Sequence, residues 1–176
     1  MKILCLLTCS VLACASATAQ PNYLELPGGT KFAAIFPCAS QPASAAAASG
    51  TVNALRCNVE SSSSACDFII AEQPLNLQAY GQSGFAFIEE VHRQYAKAMD
   101  PNFTSKLHKV TTQNGLGKVL DYELNRTQQG YVLFVKGKWL VAGNRTLRAT
   151  YSCFPANTNF MQVERALFLE SLTLIK

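Results

Sequence analysis

Two histidines, one tryptophan and no pair of adjacent basic residues in 176 positions leave little material for several common kinds of chemistry. So few histidines, with no Cys-x-x-Cys pair, argue against a tetrahedral zinc centre, which draws on closely spaced Cys and His ligands. With no Lys/Arg block and a formal charge of only +4, the chain lacks the electrostatic footprint of a nucleic-acid binder. Gly-x-Ser-x-Gly, Ser-x-x-Lys and His-Glu-x-x-His are all missing, and with them the familiar frameworks for covalent or metal-assisted hydrolysis. The longest apolar run falls short of the ~20 residues that a membrane-spanning helix needs. No catalytic residue, metal ligand or cofactor is therefore expected.

What is present begins with a targeting segment. Met1-Lys2 forms a basic start, Ile3 to Ala13 an apolar stretch, and Ala17-Thr18-Ala19 a small-x-small site before Gln20. This pattern predicts a signal peptide over 1–19, cleaved after Ala19, and a single domain over 20–176. Val11-Leu12-Ala13-Cys14 also has the outline of a lipobox, so an acylated Cys14 anchoring the chain to a membrane is the rival expectation. Either way the mature domain is expected outside the cytoplasm, periplasmic or secreted.

Cleavage removes Cys5, Cys9 and Cys14 and leaves Cys38, Cys57, Cys66 and Cys153, an even number suited to an oxidising compartment. Four cysteines allow three pairings. Cys57 and Cys66 flank Ser61-Ser62-Ser63-Ser64 between two strand-like runs, which predicts a bridge across a hairpin and leaves Cys38 for Cys153. Asn-x-Thr sequons at Asn102, Asn125 and Asn144 are close to the number chance would supply.

The centre of the chain is Gly115 to Cys153. Branched and aromatic residues there form three runs, separated by Gln128-Gln129-Gly130 and Gly143-Asn144, which predicts an antiparallel meander. A two-residue turn at Gly143-Asn144 places Leu140 opposite Leu147 and Trp139 opposite Arg148, within cation–π reach. Lys136-Gly137-Lys138 is expected to be a bulge or separate turn, since strict alternation would turn both lysines inward. Earlier, Gln20 to Thr30 is turn-rich, with Pro21, Pro27, Gly28 and Gly29; Lys31 to Phe36 predicts a strand, the Ala/Ser-rich stretch 39–50 a flexible connection, and 51–60 with 65–71 a hairpin. Ser83 to Met99 has an apolar stripe of Phe87, Ile88, Val91, Tyr95 and Met99, which predicts an amphipathic helix capped by Ser83 and stopped at Asp100-Pro101. Lys106 to Thr112 reads as a strand. A second helix is expected from a capping box at Asn159 and Gln162 to about Glu170, with Phe160, Val163, Leu167 and Ser171 on one side. Leu172 to Ile175 closes the chain as an edge strand.

Few side chains suggest a site. His92 is expected on the helix surface beside acidic neighbours, and His108 on a strand edge. Asp121 and Glu123 share a strand face expected to be solvated. Trp139, Arg145 and Arg148, with Lys136 and Lys138 nearby, put aromatic and basic groups on one hairpin and are the candidate binding residues.

Phe32-Ala33-Ala34-Ile35-Phe36-Pro37, the Ser/Ala-rich stretch, two strands, an amphipathic helix, the meander and a closing helix ending Phe168-Leu169-Glu170-Ser171-Leu172 together resemble the Mog1/PsbP-like group. The resemblance spans about 24–174 and lies in the order of elements; the four mature cysteines depart from it. It implies an α+β fold, an antiparallel β-sheet flanked by helices as an αβα sandwich, acting as a binding or adaptor module. The expectation is thus an exported, non-enzymatic accessory or protein-binding module, with an inhibitor or immunity-type protein as one version, whose partner is another exported or envelope protein. The alternative is a small periplasmic hydrolase with a site built from scattered residues such as His92 and Asp121.

Overall fold

A computed structural model describes residues 21–47, 50–74, 85–99, 104–128, 130–142, 145–156 and 159–176. The expected signal peptide, Cys14, the Ser83 cap, Asp100-Pro101, and the Gly143-Asn144 turn lie outside the described residues. Among the described residues, ten strands and two helices follow one another: β1 (Pro21–Glu25), β2 (Lys31–Ile35), β3 (Gln41–Ala47), β4 (Gly50–Glu60), β5 (Ala65–Pro74), α1 (Phe85–Met99), β6 (Thr104–Gln113), β7 (Gly117–Gln128), β8 (Tyr131–Ala142), β9 (Arg145–Phe154), α2 (Gln162–Glu170) and β10 (Thr173–Ile175).

The expected helix-flanked α+β sandwich is wrong. Strands dominate the described residues, only two short helices accompany them there, and the strands form two antiparallel sheets. One has three strands in the order β1-β2-β10, the other seven in the order β3-β4-β5-β9-β8-β7-β6. Two segments expected to be irregular account for much of the difference. The Ala/Ser stretch becomes β3, paired with β4 from Gln41↔Arg56 to Ala47↔Gly50. The turn-rich start becomes β1, paired with β2. Neither has strong intrinsic strand preference, so pairing with a neighbour decides the outcome.

Alternation along each strand divides the seven-stranded sheet into two faces. One carries Phe68, Ile70, Leu140, Leu147, Ala149 and Tyr151, and packs against Leu24, Phe32 and Phe36 from the small sheet and Phe168 from α2. The Phe168 ring lies 5.1 Å from that of Phe36 and 5.4 Å from that of Phe68. The other face carries Leu120, Tyr122, Leu124, Val135 and Trp139, and receives Ile88 from α1.

Both disulfides differ from the expected pairs. The bridges are Cys38–Cys57 and Cys66–Cys153, not Cys57–Cys66 and Cys38–Cys153. The Ser61–Ser64 turn sets a register in which Cys57 faces Phe68 and Cys66 faces Val59, so Cys57 and Cys66 are diagonal neighbours. Cys66 stands directly opposite Cys153, because β9 pairs with β5. Cys57 is left to staple β4 to the segment after β2.

Helix α2 also departs from expectation. It starts at Gln162 with Met161 as its N-cap, in a left-handed conformation and without a side-chain cap. Its buried residues are Phe168 and Leu169, while Val163 is 75% and Leu167 44% exposed. Of the four residues expected on one side, Val163 and Leu167 thus face outward, while Phe160 packs against the core. The helix is pinned at its C-terminal end, where Ser171 Oγ accepts from the Ile35 amide at 2.8 Å and donates to the Phe168 carbonyl at 3.1 Å.

Candidate functional site: a charged groove beneath α2

Strand β8 runs without a break through Lys136-Gly137-Lys138, so the expected bulge does not form. Gly137 explains how. A Cβ at this position would lie 2.4 Å from the Ala149 carbonyl oxygen and 2.5 Å from the Tyr122 ring. Tyr122 and Thr150 are the cross-strand neighbours of Gly137 in β7 and β9. The bare glycine lets the Tyr122 ring cross over β8, where its hydroxyl meets Thr150 Oγ1 at 2.8 Å.

With alternation preserved, both lysines enter the face covered by α2. Lys138 is only 3% exposed. Its Nζ donates to Glu170 Oε1 of α2 at 3.1 Å and lies 3.6 Å from Asp121 Oδ1. The register sets Asp121 against Lys138 and Glu123 against Lys136. These residues, with Gln162, Arg165, Ala166 and Leu169, line a groove of about 450 Å³ between the sheet and the helix. The Arg165 guanidinium sits 5.4 Å from the ring centres of Phe134 and Tyr151, a cation–π arrangement that ties it to the sheet. Burial pushes the Tyr151 hydroxyl pKa up, against the opposing pull of Arg165. Asp121 and Glu123 therefore do share a strand face, as expected, but they are half-buried there against lysines.

The candidate binding residues lie elsewhere. Trp139 and Arg148 are cross-strand partners with the guanidinium 5.4 Å from the indole, as the spacing predicts. They are 2% and 5% exposed, which puts both inside the molecule and away from any outer surface. Arg145 is half-buried, pairs with Glu72, and borders a cavity of about 670 Å³ with Leu26, Leu174 and Lys176.

His92 is no surface residue. It is 1% exposed, with its ring 4.8 Å from that of Tyr122, and burial lowers its pKa from 6.5 to about 4. His92 and Asp121 consequently occupy opposite faces of the sheet and do not come together in one site. His108 falls at the register shift between Leu107 and Lys109 of β6, and its side chain lies outside the described residues. Among the described residues, no group of three His, Cys, Asp or Glu is arranged to hold a metal ion.

Reading the sequence alone passed over Gln162, Arg165 and Glu170 as site residues and gave Lys138 no partner. One signal was available. Continuing the pairing outward from Gln128 and Tyr131 sets Asp121 opposite Lys138 and Glu123 opposite Lys136, two opposite-charge pairs on one face. The contribution of α2 has no such local signal.

The fold and groove define a small two-sheet domain stapled by two disulfides, a kind of bond that persists in oxidising compartments. No family model matches the chain, and no curated protein matches it. Among solved structures it is similar to LpqN, involved in cell envelope biogenesis of Mycobacterium tuberculosis, at 11% identity and a TM-score of 0.53, covering 90% of this chain and 92% of that one. It is also similar to PA94 from Pseudomonas aeruginosa, a protein of unknown function, at 18% identity and a TM-score of 0.47, covering 83% and 91%. The likeness to LpqN shows a shared fold. Neither is named as a Mog1/PsbP-like protein, so that resemblance rests on the order of elements alone. Among the described residues, no helix is long and apolar enough to cross a membrane.

Proposed function

We propose that this is an exported accessory protein, cleaved after Ala19, that binds a protein partner at the cell envelope through the outer side of α2 and the groove below it. The observation that carries this reading is the outward display of Val163 and Leu167, one turn apart, on a helix that has already buried Phe168 and Leu169. A helix that met only water on that side would carry polar residues there. Apolar anchors beside a charged rim are instead the usual composition of a protein contact surface. LpqN is tied to envelope biogenesis, and on this reading the chain works in similar surroundings. The two disulfides accord with export, to the periplasm or the medium.

A photo-crosslinking residue placed at Val163 or Leu167, in cells that express the protein, tests the surface. One exported or envelope protein should be captured from both positions and not from exposed Ser62, and Val163→Glu with Leu167→Glu should abolish capture from Arg165. Equal capture from Ser62, or none from the helix, would overturn the proposal. Intact mass of the mature chain, starting at Gln20, checks the cleavage site.

A further inference from the structure

We infer that the groove beneath α2 binds a carboxylate-bearing ligand, and that the Glu170 carboxylate holds the ligand's place on Lys138 until it arrives. The inference rests on the proposed role of this part of the molecule as the contact surface. The Lys138 side chain is 4% exposed, so its ammonium cannot be hydrated as a surface lysine is and must find protein acceptors. Its two carboxylate partners are unequal. Asp121 is fixed opposite it by the strand register. Glu170 reaches in from the last residue of α2 and remains 71% exposed.

A carboxylate at that position is opposed by the helix, whose terminal carbonyls carry partial negative charge. With the Glu170 side chain mostly in water, its pull on the ammonium is screened and contributes little. A ligand carboxylate free of the helix penalty can therefore displace Glu170. Once Glu170 swings into water, the groove holds Lys136, Lys138 and Arg165 against Asp121 and Glu123, an excess of one positive charge that matches a monoanion. A phosphate dianion fits poorly, because Asp121 lies only 3.6 Å from the ammonium. The volume of about 450 Å³ suits a small molecule or the last few residues of a peptide. The carboxylate could be that of a free small acid or the C-terminus of a partner chain.

Isothermal titration of the mature, disulfide-bonded protein distinguishes these cases, using acetate, inorganic phosphate, and tri-alanine with either a free or an amidated C-terminus. At least one free carboxylate should bind saturably, with phosphate and the amide silent. Glu170→Ala should tighten that binding about fivefold, the weight of one exposed ion pair. Lys138→Met should abolish it with the melting temperature retained. Acetate binding as tightly as the peptide indicates a small acid, and binding of the free peptide alone indicates a chain terminus. If Glu170→Ala binds no carboxylate, or binds one no tighter than the wild type, the inference is overturned. Should crosslinking from Val163 persist in that case, the contact surface stands and only its carboxylate site falls.

Discussion

Trp139 and Lys138 are neighbours in β8, and their side chains enter opposite faces of one sheet. On the α1 face the polar groups are sealed in. Arg148 lies against Trp139, His92 against Tyr122, and the Tyr122 hydroxyl against Thr150. On the α2 face the charges of β7 and β8 open into a groove, while the rest of that face is a dry core of Phe and Leu. The covalent bonds are unequally shared as well, since Cys57, Cys66 and Cys153 all belong to the core on the α2 face. One side of the sheet is thus held by packing and buried polar contacts, the other by a larger packed core together with cross-links. This contrast shows why the α2 face can leave part of itself unfilled: its geometry does not rest on close packing alone.

Removing cross-links should weaken the α2 face most. By chain entropy, Cys66→Ala with Cys153→Ala, separated by 87 residues, should cost about 4–5 kcal/mol, and Cys38→Ala with Cys57→Ala, separated by 19, about 3 kcal/mol. Urea denaturation measures both, and equal costs would show that loop length is not in control. Acid should act on the opposite face. His92 is neutral when folded, with a pKa of about 4 against 6.5 for an ordinary histidine. The unfolded chain therefore binds more protons between these values. Stability is full above about pH 6.5 and declines as pH falls toward 4, by up to about 3 kcal/mol. His92→Phe should flatten that slope, and an unaltered slope would clear His92 of responsibility. Smaller again is Gly137→Ala, expected to cost about 1–3 kcal/mol by forcing the Tyr122 ring and the Ala149 carbonyl apart. A midpoint unchanged from wild type would mean that the crossing of Tyr122 over β8 is not a tight contact.

Much of the local structure could be read from the sequence. The β8–β9 hairpin was legible, with Leu140 facing Leu147 and Trp139 facing Arg148, because turn length fixes register. So was α1, whose described span, Phe85–Met99, nearly matches the expected one. What escaped was non-local. Placing β9 between β5 and β8 decides that Cys66 meets Cys153, and nothing within either strand announces that adjacency. Gly137 looked like an interruption because its reason, a tyrosine arriving from β7, lies fifteen residues earlier in the chain. Which way Val163 and Leu167 turn was left undecided for a related cause. A short helix offers two plausible stripes, and the rings of Phe36 and Phe68 choose between them.

The strand order has a consequence for assembly. β3, β4 and β5 can zip together from adjacent sequence, as can β6 to β9, yet the two groups join only where β5 meets β9. The small sheet is likewise completed by β10 closing on β2. A chain passing through a pore with its N-terminus leading would emerge with the β5 flank bare and the Cys66 thiol waiting; the large sheet would be finished only when β9 arrived, and the small one only as the final segment came through.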